Sequence, residues 1–234
     1  MKRKLIGALC AMLALMSTET RAKTLVVYYS YTDYCRQIVS SLTGQISADV
    51  LEIQPAQKGL KYEANGYALG TQLLNAINSN PNSESSYPAI DPISTDMSNY
   101  DCFIIVTPLW WSKMAAIMQT FLFRYGAQMA GKNVGLIVSS ASSGISQVVA
   151  DCKRLVPSGN YFSQNLWINH ANHANRATLI SNWLTAIDFN ATTAIGTTKT
   201  TSTPTEHIYD LMGRQLASEP TKGIYIKNGK TTIR

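Results

Sequence analysis

The chain has 234 residues, of which 45% are hydrophobic, and a mean hydropathy of −0.05. These values exclude a disordered polyelectrolyte and leave room for one medium-sized packed domain with additions. The formal charge is +6, but four basic residues and one acidic residue lie in the first 22 positions, leaving +3 on the remainder. With no dense Lys/Arg run interleaved with aromatics, nucleic acid is not an expected partner.

Lys2, Arg3 and Lys4 precede an apolar run over 5–16, and Thr20, Arg21 and Ala22 offer a small-residue cleavage site. This is the pattern of a signal peptide over residues 1–22. The apolar run is shorter than the roughly 20 residues needed to cross a bilayer, so no stable membrane anchor is expected. Nor does Cys10 read as a lipid-attachment site, since it lies inside the apolar run and follows Leu9. The mature protein is expected to begin near Lys23 and to be periplasmic or secreted. It keeps Cys35, Cys102 and Cys152, an odd number that makes no disulfide framework. Cys102 and Cys152 fall in a strand and a helix pattern and are expected to be buried. Cys35 opens a helix, where the dipole favours a reactive thiolate, although packing is the default role of such a residue.

Residues 23–189 read as one domain. The run 25–29 is aliphatic or aromatic throughout, as in a central parallel strand covered on both faces. It stops at the hydroxyl-rich turn 30–35. Ile38, Val39, Leu42 and Ile46 then mark an amphipathic helix whose free N–H groups face that turn, a place for an anion; simple capping by Ser30, Thr32 and Asp33 is the alternative. A short strand is expected over 49–54, a turn over 55–60, and a helix through Tyr67, Leu69, Leu73, Leu74 and Ile77. A polar, proline-containing surface crossover spans 78–101. Next come a buried strand over 102–107 ending at Pro108, Leu109, Trp110 and Trp111, and a helix carrying Met114, Ile117, Met118, Phe121 and Leu122. The strand 132–139 empties into the small-residue loop 140–144, before a helix with Val148, Val149, Cys152 and Leu155. A last short strand over 165–168 and a helix over 174–189 complete five β-α repeats, which predict an α/β fold with a doubly wound, five-stranded parallel sheet in order 2-1-3-4-5.

Residues 190–205 contain eight threonines and no apolar periodicity, and read as a linker. Residues 206–234 carry two hairpin signals, around Met212-Gly213 and Asn228-Gly229, and predict a small C-terminal β appendage.

In that strand order the turns after strands one, three and four converge at one site beyond the carboxyl ends of the sheet. Ser30, Thr32, Asp33, Tyr34 and Cys35 offer hydroxyls and helix N–H groups. Pro108, Leu109, Trp110 and Trp111 offer indoles to cover a planar ring. Ser140, Ala141, Ser142 and Gly144 are small enough to let backbone approach the ring edge. This division of labour suits FMN.

These residues carry a resemblance to the flavodoxin family, in particular to flavodoxin-like oxidoreductases with Pro-x-Trp-Trp after the third strand. Pro108, Trp110 and Trp111 match that loop as it stands. Ser30 and Thr32 match a phosphate loop that usually reads Ser/Thr-x-Thr-Gly-Asn-Thr, while Asp33, Tyr34 and Cys35 replace its last three residues. Ser139, Ser140, Ala141, Ser142, Ser143 and Gly144 stand where Thr-Ser-Gly-Gly-Ser-Gly is common. The resemblance implies an FMN-dependent oxidoreductase or electron carrier, with no catalytic side chain of its own. The departures favour an alternative, a flavodoxin fold without FMN that serves as a binding module. Classical flavodoxins are acidic and dock on basic partners, so a charge of +3 points instead to a small redox substrate such as a quinone, or to an acidic redox protein. The tail motifs YDLMGRQL and KGIYIKNGK resemble carboxyl-terminal sorting segments of secreted Bacteroidetes proteins.

Two lesser candidates are weaker. Ser143 lies in no Gly-x-Ser-x-Gly elbow and has no evident base. His170 and His173 are spaced for a metal, yet lack a third ligand nearby, and read as surface histidines.

Overall fold

The computed structural model describes residues 22–190, Lys222 and the strand segments 208–209, 215–216, 224–227 and 230–233. All of the expected signal peptide but Ala22 and all of the expected linker but Asn190 therefore lie outside the described residues. The chain divides into two units, residues 1–195 and 196–234.

In the first unit a parallel sheet is built from β1 (Thr24–Tyr28), β2 (Asp49–Glu52), β3 (Cys102–Trp110) and β5 (Asn133–Ser140), with β4 (Lys113–Met114) folded back antiparallel on β3. Two short segments, β6 (Asn160–Tyr161) and β7 (Leu166–Asn169), share the place beside β5. The order is β2-β1-β3-β5 and then the interrupted fifth strand, as the β-α alternation predicts. Adjacent side chains on a strand point to opposite faces, and the burial follows that rule. Leu25, Val27, Phe103 and Ile105 pack on one face with α2 (Ala64–Ser79), α3 (Ala116–Tyr125) and α4 (Ser146–Leu155). Val26, Tyr28, Ile104 and Val106 pack on the other with α1 (Tyr34–Thr43) and α5 (Arg176–Ala186). Burial on both faces explains why these strands are continuously apolar in sequence. No helix among the described residues is long and apolar enough to cross a membrane.

Two expectations change. The crossover before β3 is not merely a surface strap: Tyr87, Ile90, Met97 and Tyr100 are buried, and two 3-10 turns, Glu84–Ser86 and Met97–Asn99, bend it so that these side chains reach the core. The stretch 108–111 is not an open loop either. Strand β3 continues through Trp110 and reverses in a two-residue turn, pairing Leu109 with Met114 and Trp110 with Lys113. Met114 thus belongs to a hairpin and precedes the helix.

The second unit contains an antiparallel sheet of β8 (Ile208–Tyr209), β9 (Gln215–Leu216), β10 (Ile224–Lys227) and β11 (Lys230–Ile233), in order β11-β10-β8-β9. Its outer pairs are the two hairpins expected from Met212-Gly213 and Asn228-Gly229, joined through β8 and β10.

Candidate functional site

From β1 the chain passes through α1 to β2 on one side, whereas β3 and the later strands of this sheet lie on the other. This reversal between β1 and β3 opens a crevice beyond their carboxyl ends, the usual ligand site of such sheets. A cavity of about 570 Å³ lies there, within the range of roughly 300–1,000 Å³ typical of cofactor and small-ligand sites. All three expected turns reach it: Thr32 from the first, Pro108, Leu109, Trp110 and Trp111 from the second, and Ser140 and Ala141 from the third. Ser30, Asp33, Tyr34, Cys35, Ser142 and Gly144 do not line it.

The two tryptophans have different roles. Trp110 is 9% exposed and is held by three tyrosines: edge-on to Tyr29 at 5.9 Å and to Tyr31 at 6.4 Å, and tilted against Tyr62 at 4.7 Å. Trp111 is 43% exposed and stands edge-on to Tyr67 at 5.6 Å. Its indole rests on α2 at Gly70, so closely that a Cβ on that residue would lie 2.3 Å from the ring. Only glycine leaves this seat open. Trp111 and Ser112 form the hairpin turn with φ of 46° and 64°, the doubly left-handed geometry of a type I′ turn. Each such L-residue costs about 1 kcal/mol or more. The surrounding hairpin holds it there: Met114 N–H donates to Asp151 Oδ2 at 3.0 Å, and Ala115 N–H to the Pro108 carbonyl at 3.2 Å. Asp151 is itself buried on α4, with Lys113 Nζ 3.8 Å from its other oxygen.

In the first turn, Asp33 occupies the position where the resembling family carries glycine, and its φ of 68° shows why glycine suits that position. Asp tolerates this region better than most residues. Its carboxylate turns to Arg36 and Gln37, and Arg36 also pairs with Glu52. Bonding to Arg36, then to Gln37, holds the Asp33 carboxyl below the usual range. Ser30 Oγ accepts the Arg36 N–H at 3.3 Å and so caps the helix from a distance. Tyr34 and Cys35 open α1, where backbone N–H groups have no carbonyl within the helix to meet. The Cys35 side chain points into the core at 1% exposure, and burial raises its thiol pKa. The reactive reading of Cys35 is thereby overturned, because desolvation outweighs the helix dipole. Cys102 and Cys152 are buried as expected, and burial pushes both thiols up to about 12.

At the third turn the Ser140 hydroxyl is already engaged, accepting Trp167 Nε1–H at 2.8 Å and donating to the Ser143 carbonyl at 2.9 Å. What this turn presents to a ligand is therefore mainly backbone. Ser142, Ser143 and Gly144 are exposed, and no base is bonded to the Ser143 hydroxyl among the described residues, which removes the basis for a serine nucleophile.

The first and third turns also contribute Tyr31 and Ser139, which the expectation did not single out, and Tyr62, Glu63, Tyr67 and His170 reach the cavity from outside the three turns. Tyr31 donates its hydroxyl proton to Glu63 and accepts Tyr62 N–H at 3.3 Å; its bond lowers the Glu63 carboxyl pKa. The Tyr62 hydroxyl is buried and interacts with the hydroxyl of buried Tyr29, at a separation longer than an ordinary hydrogen bond. A signal for this segment was present in Tyr62-Glu63 and Asn65-Gly66, where Asn65, Gly66 and Tyr67 all take positive φ and swing Tyr67 over the cavity. His170 stacks on Tyr34 at 4.4 Å, and His173 meets the same ring edge-on at 4.6 Å. His173 is buried, not a surface residue as expected, and burial lowers its pKa. No group of three or more potential metal ligands occurs among the described residues.

An open parallel sheet with an aromatic-walled crevice at its switch point and a helix N-terminus beside it defines a doubly wound α/β protein of the nucleotide-binding kind. The chain belongs to the flavodoxin family, whose model matches residues 23–187. A Bacteroides eggerthii protein named as a flavoprotein is 24% identical, with a TM-score of 0.57 over 71% of this chain and 98% of its own. A Bacteroides uniformis protein, likewise named, is 24% identical, with a TM-score of 0.55 over 69% and 99%. A Lactobacillus acidophilus flavoprotein, solved in complex with FMN, is 19% identical, with a TM-score of 0.53 over 67% and 99%. At these identities the three share the fold with this chain.

Proposed function

We propose that this chain binds FMN in the cavity between β1 and β3 and acts, after export, as an electron carrier or FMN-dependent oxidoreductase. The observation that carries this reading is the cavity itself, walled by Trp110, Trp111 and three tyrosines beside the free end of α1. Family membership and the FMN-containing Lactobacillus relative support it. The fit is good on two counts. The volume is adequate, and the aromatic wall suits a planar ring.

Trp110 and Trp111 would face the ring, the backbone at Ser139 to Ala141 would meet its edge, and Thr32 with the first N–H groups of α1 would take the phosphate. Bound FMN supplies the electron-transfer chemistry, so the protein's part is to bind it, exclude water and tune it. The alternative of a flavodoxin fold without FMN is motivated by Asp33, Tyr34, Ala141 and Ser142; of these, the Asp33 carboxylate is paired with Arg36, and Asp33 is not among the lining residues. Export rests on the leader pattern of residues 1–22. A small planar substrate such as a quinone suits the exposed Trp111 and Tyr67 at the cavity.

The test is a visible spectrum of the purified protein, followed by titration with FMN under fluorescence. A flavin spectrum, or quenching that saturates at one FMN per chain, is the expected result. Colourless protein that leaves FMN fluorescence unchanged would overturn the reading.

A further inference from the structure

Among the described residues the cavity lining contains one carboxylate, Glu63, and no lysine or arginine, and His170 is the sole side chain there able to become a cation. The nearby guanidinium groups are committed elsewhere: Arg36 to Asp33 and Glu52, and Arg176 to the Ser41 hydroxyl and the His173 carbonyl. His170 is also well fixed. Its backbone N–H donates to the Ala141 carbonyl at 3.3 Å, tying the main chain here to the third turn. Its ring lies on Tyr34, with an interplanar angle of 16°, and Tyr34 is the residue that opens α1.

The second imidazole cannot do the same work. His173 is buried, its Nε2 faces the Tyr34 carbonyl at 3.4 Å, and the charges of Arg176 and His170 oppose its protonation. We propose that His170 is the pH-dependent counter-charge for the phosphate of the bound nucleotide, so that this site distinguishes a phosphorylated flavin from riboflavin more strongly in acid than in base. The assignment rests on the FMN reading above. The groups around His170 are Tyr34 and Asp33-Arg36 from the start of α1, His173 from the turn after β7, Arg176 from α5 through His173, and the Ala141 carbonyl; Glu63 faces the same cavity from the start of α2. An imidazole changes charge between about pH 5 and 8, and when charged it adds a charge-assisted bond to a phosphate oxygen. His170 is exposed, so solvent screening limits the gain to roughly threefold to tenfold in affinity.

The experiment measures FMN and riboflavin dissociation constants at low salt from about pH 6 to about pH 8.5, for the native protein, His170→Gln and His170→Phe, the last retaining an aromatic ring over Tyr34. The phosphate itself gains a proton near pH ~6, so the readout is the ratio of FMN to riboflavin affinity, compared between proteins at each pH. The native ratio should exceed that of either variant roughly threefold to tenfold near pH ~6 and converge with it above pH ~8. FMN should also raise the NMR titration midpoint of the His170 ring, and riboflavin should not. Equal ratios at every pH, with both flavins bound, would overturn the role of His170 and leave the FMN site standing. Binding of neither flavin would overturn both.

Discussion

Gly70→Ala is the sharpest probe of the cavity wall. The new Cβ would lie 2.3 Å and 2.6 Å from two carbons of the Trp111 ring, so the indole must leave α2. Trp111 is 43% exposed; for a side chain that buries about 150–250 Å² when enclosed, roughly 100 Å² is covered. At about 25 cal/mol per Å² this packing is worth at most ~2.5 kcal/mol. Alanine returns about 0.5–1 kcal/mol of helix propensity, so a net loss of about 1–2 kcal/mol is expected in urea unfolding. FMN affinity should fall about tenfold, the size of one lost aromatic contact. A double-mutant cycle isolates the cause. Once Trp111→Ala has removed the ring, Gly70→Ala should become stabilising by about 0.5–1 kcal/mol, with a coupling of about 1.5–2.5 kcal/mol. Additivity of the two substitutions within about 0.3–0.5 kcal/mol would refute the seat of Trp111 on Gly70.

Asp151→Ala strips the Met114 N–H of its buried acceptor and should cost about 1–3 kcal/mol in chemical denaturation; Asp151→Asn, which can still accept, should lose less. Asp33→Gly removes a non-glycine residue from φ 68° and a carboxylate from the first turn, and isothermal titration should show tighter FMN binding. Because burial lowers the His173 pKa in the folded state, its neutral form stabilises the fold fully above about pH 6.5, and that contribution is lost as pH falls through the lowered value. Stability followed between about pH 7.5 and 5.5 should therefore drop less in His173→Gln than in the native protein. Finally, the native thiols of Cys35, Cys102 and Cys152 should resist a thiol reagent at about pH 8 and react together on unfolding, since burial raises all three.

The order of the sheet and the meeting of its three turns were legible because buried parallel strands such as 25–28 and 102–106 are continuously apolar and alternate with helical periods. The Trp111-Ser112 hairpin was not, since its turn carries neither glycine nor asparagine; tertiary bonds, Met114 N–H to Asp151 among them, impose the geometry. Tyr62 and Tyr67 escaped notice for a related reason. Tyr67 reads as the first residue of a helical period, whereas it ends a left-handed stretch, Asn65 to Tyr67, at the start of α2, and both tyrosines reach the cavity only through tertiary packing. His170 was visible as a chemical group, but its stacking on Tyr34 joins residues 136 positions apart, beyond any local pattern. Asp33 announced itself as a departure, while its partnership with Glu52 through Arg36 depends on the pairing of β1 with β2.

The walls of the cavity are drawn from positions 31 to 170 and from both sides of the sheet's reversal. No fragment and no half-assembled chain contains the whole receptacle. Whatever fits there is held by the finished molecule alone, so every increment of its binding energy accrues to the completed state. Ligand capture thus doubles as a check on correct assembly, and a saturated population should resist unfolding with a free energy that grows as the logarithm of the free ligand concentration around it.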